Sequence, residues 1–275
     1  MILDGKIASE SLILDIKEKV EKYRENGENL KLCVLQLVVD DASKAYLRGR
    51  MKMCEKVGVE LEVYDCSNSS KEEVIELIKR LNNDKTVTGI MIDRPFPKGM
   101  DETEIFSYLD PKKDVDGCTI YNAGLLFQNK TCLIPSTAKA VLELMKFYNV
   151  ELQGKRVVVV GRSKTVGAPV AQLLINQNAT VTTCHSRTVD LPSECKKAEV
   201  LVVAIGKKEF IDEKYLNKDC VVVDVGIHYD EFGKMCGDVA RSTYEFLTTY
   251  SPVPRGVGPL TNIALMQNLL IAKEM

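Results

Sequence analysis

Apolar positions along this chain alternate between a helical spacing and short continuous runs. Residues 6–26 are periodic, with charge gathered on one face, and predict an opening helix. Leu30–Val39, with apolar Leu32, Val34, Leu35, Leu37 and Val38, predicts a strand. A helix over 42–57 and a strand over Glu60–Tyr64 follow. Ser70-Lys71-Glu72-Glu73 reads as an N-cap and an acidic first turn, so a helix begins there. Thr88–Ile92 predicts the next strand, stopped by Arg94-Pro95-Phe96-Pro97. Residues 110–135 hold little regular pattern and predict loops. A helix over about 137–149 leads to a turn at Gly154. Strands at 156–160, 179–183, 199–204 and 220–225 make a second series, and a helix over Leu260–Ala272 closes the chain. Strands alternating with helices imply a mostly parallel sheet in each series. The pattern therefore predicts two α/β domains joined near residues 136–150, with the cleft between them as the natural ligand site.

One segment of this pattern carries chemistry. Four valines, Val157–Val160, form a run suited to a strand covered on both faces. Gly161 ends it, and after Gly167 an Ala/Val/Leu-rich stretch with helical spacing runs to Leu174. Backbone N–H groups at such a helix start lack partners and suit an anion, which is how open α/β folds hold a pyrophosphate. Arg162 and Ser163 add a charge and a hydroxyl to the turn. The spacing is Gly-x5-Gly, which also occurs where two glycines serve sterics alone. The next strand ends in His185-Ser186-Arg187-Thr188, where sites for NAD place a carboxylate. No carboxylate appears before Asp190. Ser186 and Arg187 suit the 2′-phosphate of NADP through charge-assisted hydrogen bonds, which favours NADP over NAD; the alternative is a plain polar loop. Two later strands end in glycines, Gly206 and Gly226 (followed by Ile227), where the backbone can approach the nicotinamide half of a cofactor.

Composition narrows the classes. Thirty-seven Lys and Arg against 39 Asp and Glu give a net charge of −2, against a nucleic-acid partner. No apolar run approaches the roughly 18 residues of a membrane span, and the first residues lack the basic-then-apolar plan of a signal peptide. The nine cysteines are odd in number and include no Cys-x-x-Cys pair. They indicate neither a disulfide framework nor a metal site, and fit a reducing cytoplasm.

Seven ordered motifs carry a resemblance across essentially the whole chain. They are Ser43-x-x-Tyr46, Lys113-Asp114-Val115-Asp116-Gly117, Gly161-Arg162-Ser163-x-x-Val166-Gly167-x-Pro169, Cys184-His185-Ser186-Arg187-Thr188, Asp224-Val225-Gly226, Gly237-Asp238-Val239 and Pro252-Val253-Pro254-x-Gly256-Val257-Gly258-Pro259. In these the chain resembles the methylenetetrahydrofolate dehydrogenase/cyclohydrolase family of one-carbon metabolism. The resemblance implies a folate-binding catalytic domain of residues 1–137 plus 260–275. It implies a Rossmann-like NADP domain of residues 138–259, a last helix packed back on the N-terminal domain, and a homodimer. Its substrates are one-carbon derivatives of tetrahydrofolate. The dehydrogenase passes a hydride from methylenetetrahydrofolate to NADP, and the cyclohydrolase adds water to the methenyl product to give formyltetrahydrofolate. Carried over, the motifs assign Tyr46, Asp116, Pro254, Gly258 and Pro259 to the folate. They assign Gly161, Arg162, Ser163, Val166, Gly167, Ser186 and Arg187, with Gly206 and Ile227, to NADP.

The chain departs from the pattern where proton transfer takes place. The family writes Tyr-x-x-x-Lys-x-Lys; here the first lysine, its cyclohydrolase residue, is Arg50, one helical turn from Tyr46. Lysine can cycle as acid and base, whereas arginine stays charged. Lys52 lies roughly 200° around the helix from Arg50. The family's Gln-Leu-Pro-Leu-Pro is Asp93-Arg94-Pro95-Phe96-Pro97, and an aspartate there suits an ion pair with Arg50. The Pro-Cys-Thr-Pro segment is Pro135-Ser136-Thr137-Ala138, and a glycine of the last loop is Arg255. Tyr46, Arg50 and Asp93 form the expected catalytic set, with the dehydrogenase retained and the cyclohydrolase weak or lost. Three rival readings stay open: a fully bifunctional enzyme, a non-catalytic folate- or nucleotide-binding protein, and a dehydrogenase for another substrate.

Overall fold

The computed structural model describes residues 1–41 and 43–275. The chain divides into two compact units, one of Ser11–Ser136 with Leu265–Met275 and one of Met1–Glu10 with Thr137–Ala264.

The elements of the first unit are α1 (Gly5–Glu25, begun in the other unit), β1 (Lys31–Gln36), α2 (Asp41–Val57), β2 (Glu60–Asp65), α3 (Lys71–Asn83), β3 (Gly89–Asp93), α4 (Glu102–Ser107) and α5 (Ile120–Phe127). The three strands form a parallel sheet in the order β2-β1-β3. Cys33, Leu35, Val74, Ile78, Ile90 and Ile92 bury its apolar face against α3. β1 ends at Gln36, three residues before the expected end, because Asp40 and Ser43 cap α2. Asp40 Oδ1 accepts from the Ser43 N–H at 2.7 Å, and Ser43 Oγ accepts from the Asp40 N–H at 2.9 Å. This box fixes the register of α2, and with it the faces that present Tyr46 and Arg50. The expected loop over 110–135 contains α5, started by a Thr119 cap.

The second unit holds α6 (Ser136–Phe147), β4 (Arg156–Val160), α7 (Gly167–Asn176), β5 (Thr180–Cys184), α8 (Leu191–Lys196), β6 (Val200–Val203), β7 (Val221–Asp224), the hairpin β8 (His228–Tyr229) and β9 (Met235–Cys236), and β10 (Thr249–Tyr250). Its parallel five-stranded sheet has the order β10-β7-β6-β4-β5. β4 lies inside the sheet between β5 and β6, and its four valines are buried. The chain crosses from β5 on one side of β4 to β6 on the other, which makes the carboxyl ends of β4 and β6 a switch point of Rossmann type.

The final helix, α9 (Gly258–Glu274), runs through the boundary between the units. Residues 265–275 pack in the first unit. Asn268 Nδ2 donates to the carbonyls of Val115 at 2.8 Å and Ile134 at 2.6 Å. Leu269 lies so close to Gly89 that a β-carbon there would meet it at 2.7 Å. Among the described residues no helix is long and apolar enough to cross a membrane.

Candidate functional site

The carboxyl edge of the five-stranded sheet gathers the residues expected to hold a dinucleotide. Gly161 follows β4, His185–Thr188 follows β5, Ile205–Lys207 follows β6, and Val225–Ile227 follows β7. Gly161 stands at φ 128°, and a β-carbon on it would meet the Ala204 carbonyl oxygen at 2.1 Å. A β-carbon on Gly167 would meet the Gly161 carbonyl at 2.3 Å. The two glycines therefore let the turn close on itself and on β6. Arg162 and Ser163 are exposed, with Val166 at the start of α7. Ser163 Oγ accepts from the N–H groups of Val166 and Gly167, both at 3.2 Å. Two donors that the sequence left unpaired thus have an internal partner.

β5 pairs with β4, so the loop carrying Ser186 and Arg187 sits beside the Gly161 turn. Gly161 donates its N–H to the Cys184 carbonyl at 2.9 Å. Thr188 closes the loop by accepting from the His185 N–H at 2.8 Å, and both Ser186 and Arg187 are exposed. Gly206 adopts φ 67° with open space around it, so its conformational freedom is used. Its N–H is held by Asp238, which is fully buried and also accepts from Ile205, Lys207 and His228 Nε2 at 2.7–2.8 Å. Asp224 in turn accepts from the N–H groups of Gly226, Asp238 and Val239 at 2.9–3.0 Å. Burial pushes the Asp224 carboxyl up to about 7, and these three bonds restrain the rise. A β-carbon at Gly237 would lie 1.8 Å from Asp224 Oδ2, which explains the Gly237-Asp238-Val239 motif.

A cavity of about 340 Å³ opens in the same unit. Gly226 and Ile227 line it together with Lys6, Pro254, Gly258 and Pro259. Expected cofactor and substrate residues therefore share one space. Lys6 is a lining residue that sequence reasoning missed, since a lysine in an amphipathic helix gives no signal. Arg255 stands at φ 85°, a conformation suited to the glycine it replaces, and its guanidinium pairs with Asp4.

The other expected residues lie in the first unit. Asp93 ends β3, in register with buried Gln36 of β1, again at the carboxyl end of parallel strands. Arg50 reaches it from α2. Arg50 Nη1 donates to Asp93 Oδ2 at 3.1 Å and Nη2 to Oδ1 at 3.0 Å. The side chains are only 5% and 9% exposed. Tyr46 lies one turn earlier on α2 and is 60% exposed, and Lys52 is exposed. Asp116 follows a loop pinned by Asp114, which accepts from the N–H groups of Cys118 and Thr119 and from Asn122 Nδ2 at 2.7–3.0 Å. Burial pushes the Asp114 carboxyl up to about 6. Lys113 donates to the carbonyls of Leu81, Asn82 and Asp84 and fastens the same loop. Asp116 itself is met by its near neighbour Cys118 and by Arg94 and Ser136, a grouping that only the folded chain reveals.

Comparison with known proteins agrees over both units. Residues 3–116 match the model of the tetrahydrofolate dehydrogenase/cyclohydrolase catalytic domain, and residues 135–275 match that of the NAD(P)-binding domain. The bifunctional protein FolD of Agathobacter rectalis is 41% identical over 275 residues, covering 99% of each chain. Among solved structures, the bifunctional FolD methylenetetrahydrofolate dehydrogenase/cyclohydrolase of Campylobacter jejuni superposes with a TM-score of 0.97 at 34% identity, over 100% of this chain and 98% of that one. The Trypanosoma brucei dehydrogenase-cyclohydrolase, solved with NADP and an inhibitor, gives 0.89 at 29% identity, over 100% and 97%.

Proposed function

The chain belongs to the tetrahydrofolate dehydrogenase/cyclohydrolase family, and from that premise we propose that it oxidises 5,10-methylenetetrahydrofolate to the 5,10-methenyl compound with NADP, while hydrolysing that product to 10-formyltetrahydrofolate slowly or not at all. The observation that carries this reading is the buried pair of Arg50 and Asp93, which stands where the family has a lysine and a glutamine.

NADP fits the residues present. The Gly161–Gly167 turn has no room for side chains at its two glycines, it exposes Arg162 and Ser163, and the neighbouring strand end offers Ser186 and Arg187 in place of a carboxylate. When bound, the nicotinamide supplies the hydride acceptor. Ile227 and Gly206 border its half of the site, and Pro254, Gly258 and Pro259 shape the space for the folate. Tyr46 lies against the pterin, and Asp116 takes its N–H donors. Hydride transfer asks of these residues alignment and exclusion of water, since the cofactor carries the chemistry. No proton needs to cycle at position 50.

Hydrolysis does ask for a proton shuttle. A general base or acid contributes about 10²–10⁴ in rate when its proton can move. Arginine keeps its proton in proteins. Both Asp93 oxygens are held by Arg50, which turns the carboxylate toward the guanidinium and commits it to the ion pair. The pair can hold charge near the reacting carbon, but it does not activate water.

The assembly is a homodimer on the family resemblance, and the nine free cysteines suit a reducing cytoplasm. Incubation with methylenetetrahydrofolate and NADP tests the whole reading. NADPH and the methenyl compound are expected to rise together, with the formyl compound lagging. NADPH formation matched throughout by the formyl product contradicts it, and so does the absence of NADP reduction.

A further inference from the structure

Asp116 is surrounded by donors of its own chain. Ser136 approaches Oδ1 twice, with its hydroxyl at 2.8 Å and its backbone N–H at 3.3 Å. Oδ2 faces Arg94 Nη1 at 3.4 Å and the Cys118 thiol at 3.3 Å. A carboxylate offers about four lone-pair positions, so these four donors occupy what it has. The N–H donors of a pterin would need the same oxygens.

The four are not equally replaceable. The Ser136 hydroxyl bond has ordinary, well-made length, and its N–H is fixed by the backbone. Cys118 is a weak donor and can turn instead to the Asp116 carbonyl oxygen, at 3.2 Å. Arg94 brings a full charge at a long, poorly made contact. It is held in place independently of Asp116. Its Nε donates to Glu102 at 3.0 Å, Nη2 contacts the same carboxylate, and the guanidinium lies 5.3 Å from the Phe106 ring centre. Glu102 and Phe106 belong to α4, so a packed element holds the cation next to Asp116. A fixed cation there occupies Oδ2 and weakens the pull of the carboxylate on a neutral donor.

We propose that Arg94 is a positioning residue that sets the affinity of the folate site by competing with the pterin head for Asp116. The inference rests on the reading of Asp116 as the pterin carboxylate. It predicts an enzyme whose folate affinity is held below what Asp116 alone would give. The Arg94 and Asp116 side chains are 30% and 16% exposed, so removing the contact is worth about twofold to fivefold in affinity, the range of a partly exposed ion pair.

The test uses the full chain with Arg94→Leu, and Arg94→Met as a second variant whose longer side chain covers Phe106. Tetrahydrofolate binding is measured by calorimetry with NADP present, and the KM for methylenetetrahydrofolate by steady-state kinetics. Both variants are expected to lower the tetrahydrofolate Kd and the methylenetetrahydrofolate KM by that factor, with the KM for NADP unmoved. A merely structural role would raise KM and lower Tm. Unchanged or weaker folate binding in the variants, beside a wild type that reduces NADP, overturns the role of Arg94 and leaves the dehydrogenase reading standing. Failure of wild type and both variants alike to bind tetrahydrofolate overturns both.

Discussion

Arg50 and Asp93 show how two substitutions, each costly alone, become compatible together. Either charge buried without the other would carry a desolvation penalty of several kcal/mol, and the two-bond geometry offsets it. Asp93→Ala, which leaves Arg50 buried without a carboxylate, is therefore expected to lower stability by about 3–5 kcal/mol in urea denaturation. A loss below about 1 kcal/mol would mean that water reaches Arg50 and that the pair is loosely made. The pairing was legible in the sequence, because both changes fall inside motifs where the family resemblance sets a strong expectation. The contact of Arg94 with Asp116 was not. Twenty-two residues separate the two, and they meet because the backbone of residues 113–115 pairs with Ile90 of β3 while Glu102 of α4 holds Arg94.

At the scale of elements, continuous apolar runs and caps were enough to locate most strands and long helices. The valine run of β4 lies where the pattern placed it, and Ser70 and Glu73 form the capping box that starts α3. The short helices α5 and α8 escaped, because too few turns exist to show a period. Their starts depend on single caps, Thr119 and Asp190, which resemble ordinary loop residues. The end of β1 was overrun because Leu37 and Val38 are apolar, yet the chain must turn there to reach the Asp40 cap. The Gly161 turn is the element most sensitive to a small change. Gly161→Ala sets a methyl 2.1 Å from the Ala204 carbonyl and holds a side chain at φ 128°. A loss of about 1–3 kcal/mol in stability is expected, together with a raised KM for NADP. Unaltered thermal melting in this variant would show that β4 and β6 can separate at no cost.

Across the whole molecule, each unit buries one carboxylate whose proton is held unusually tightly: Asp114, pushed up to about 6, and Asp224, pushed up to about 7. In the unfolded chain an aspartate titrates near 4. The stability these two groups contribute is thus complete below about pH 4 and is lost as pH rises through about 6 and 7. Carboxylates held low, such as Asp65, Asp84 and Glu199, are ionised in both states above about pH 5.5 and add no slope there. The urea midpoint is therefore expected to fall between about pH 5.5 and pH 8; a rise would contradict the burial of these two groups. The function of the molecule turns on a different pair. The measurement that tests it most directly is the ratio of cyclohydrolase to dehydrogenase turnover, in wild type and in Arg50→Lys/Asp93→Gln. The double change matters, since Asp93 left in place would hold a lysine protonated, whereas burial without a carboxylate lets its proton leave. A wild-type ratio far below one is expected, with a rise of at least about tenfold in the variant, within the range of general acid–base catalysis. A wild-type enzyme that hydrolyses the methenyl compound as fast as it forms it would show that the Arg50–Asp93 pair does not block hydrolysis.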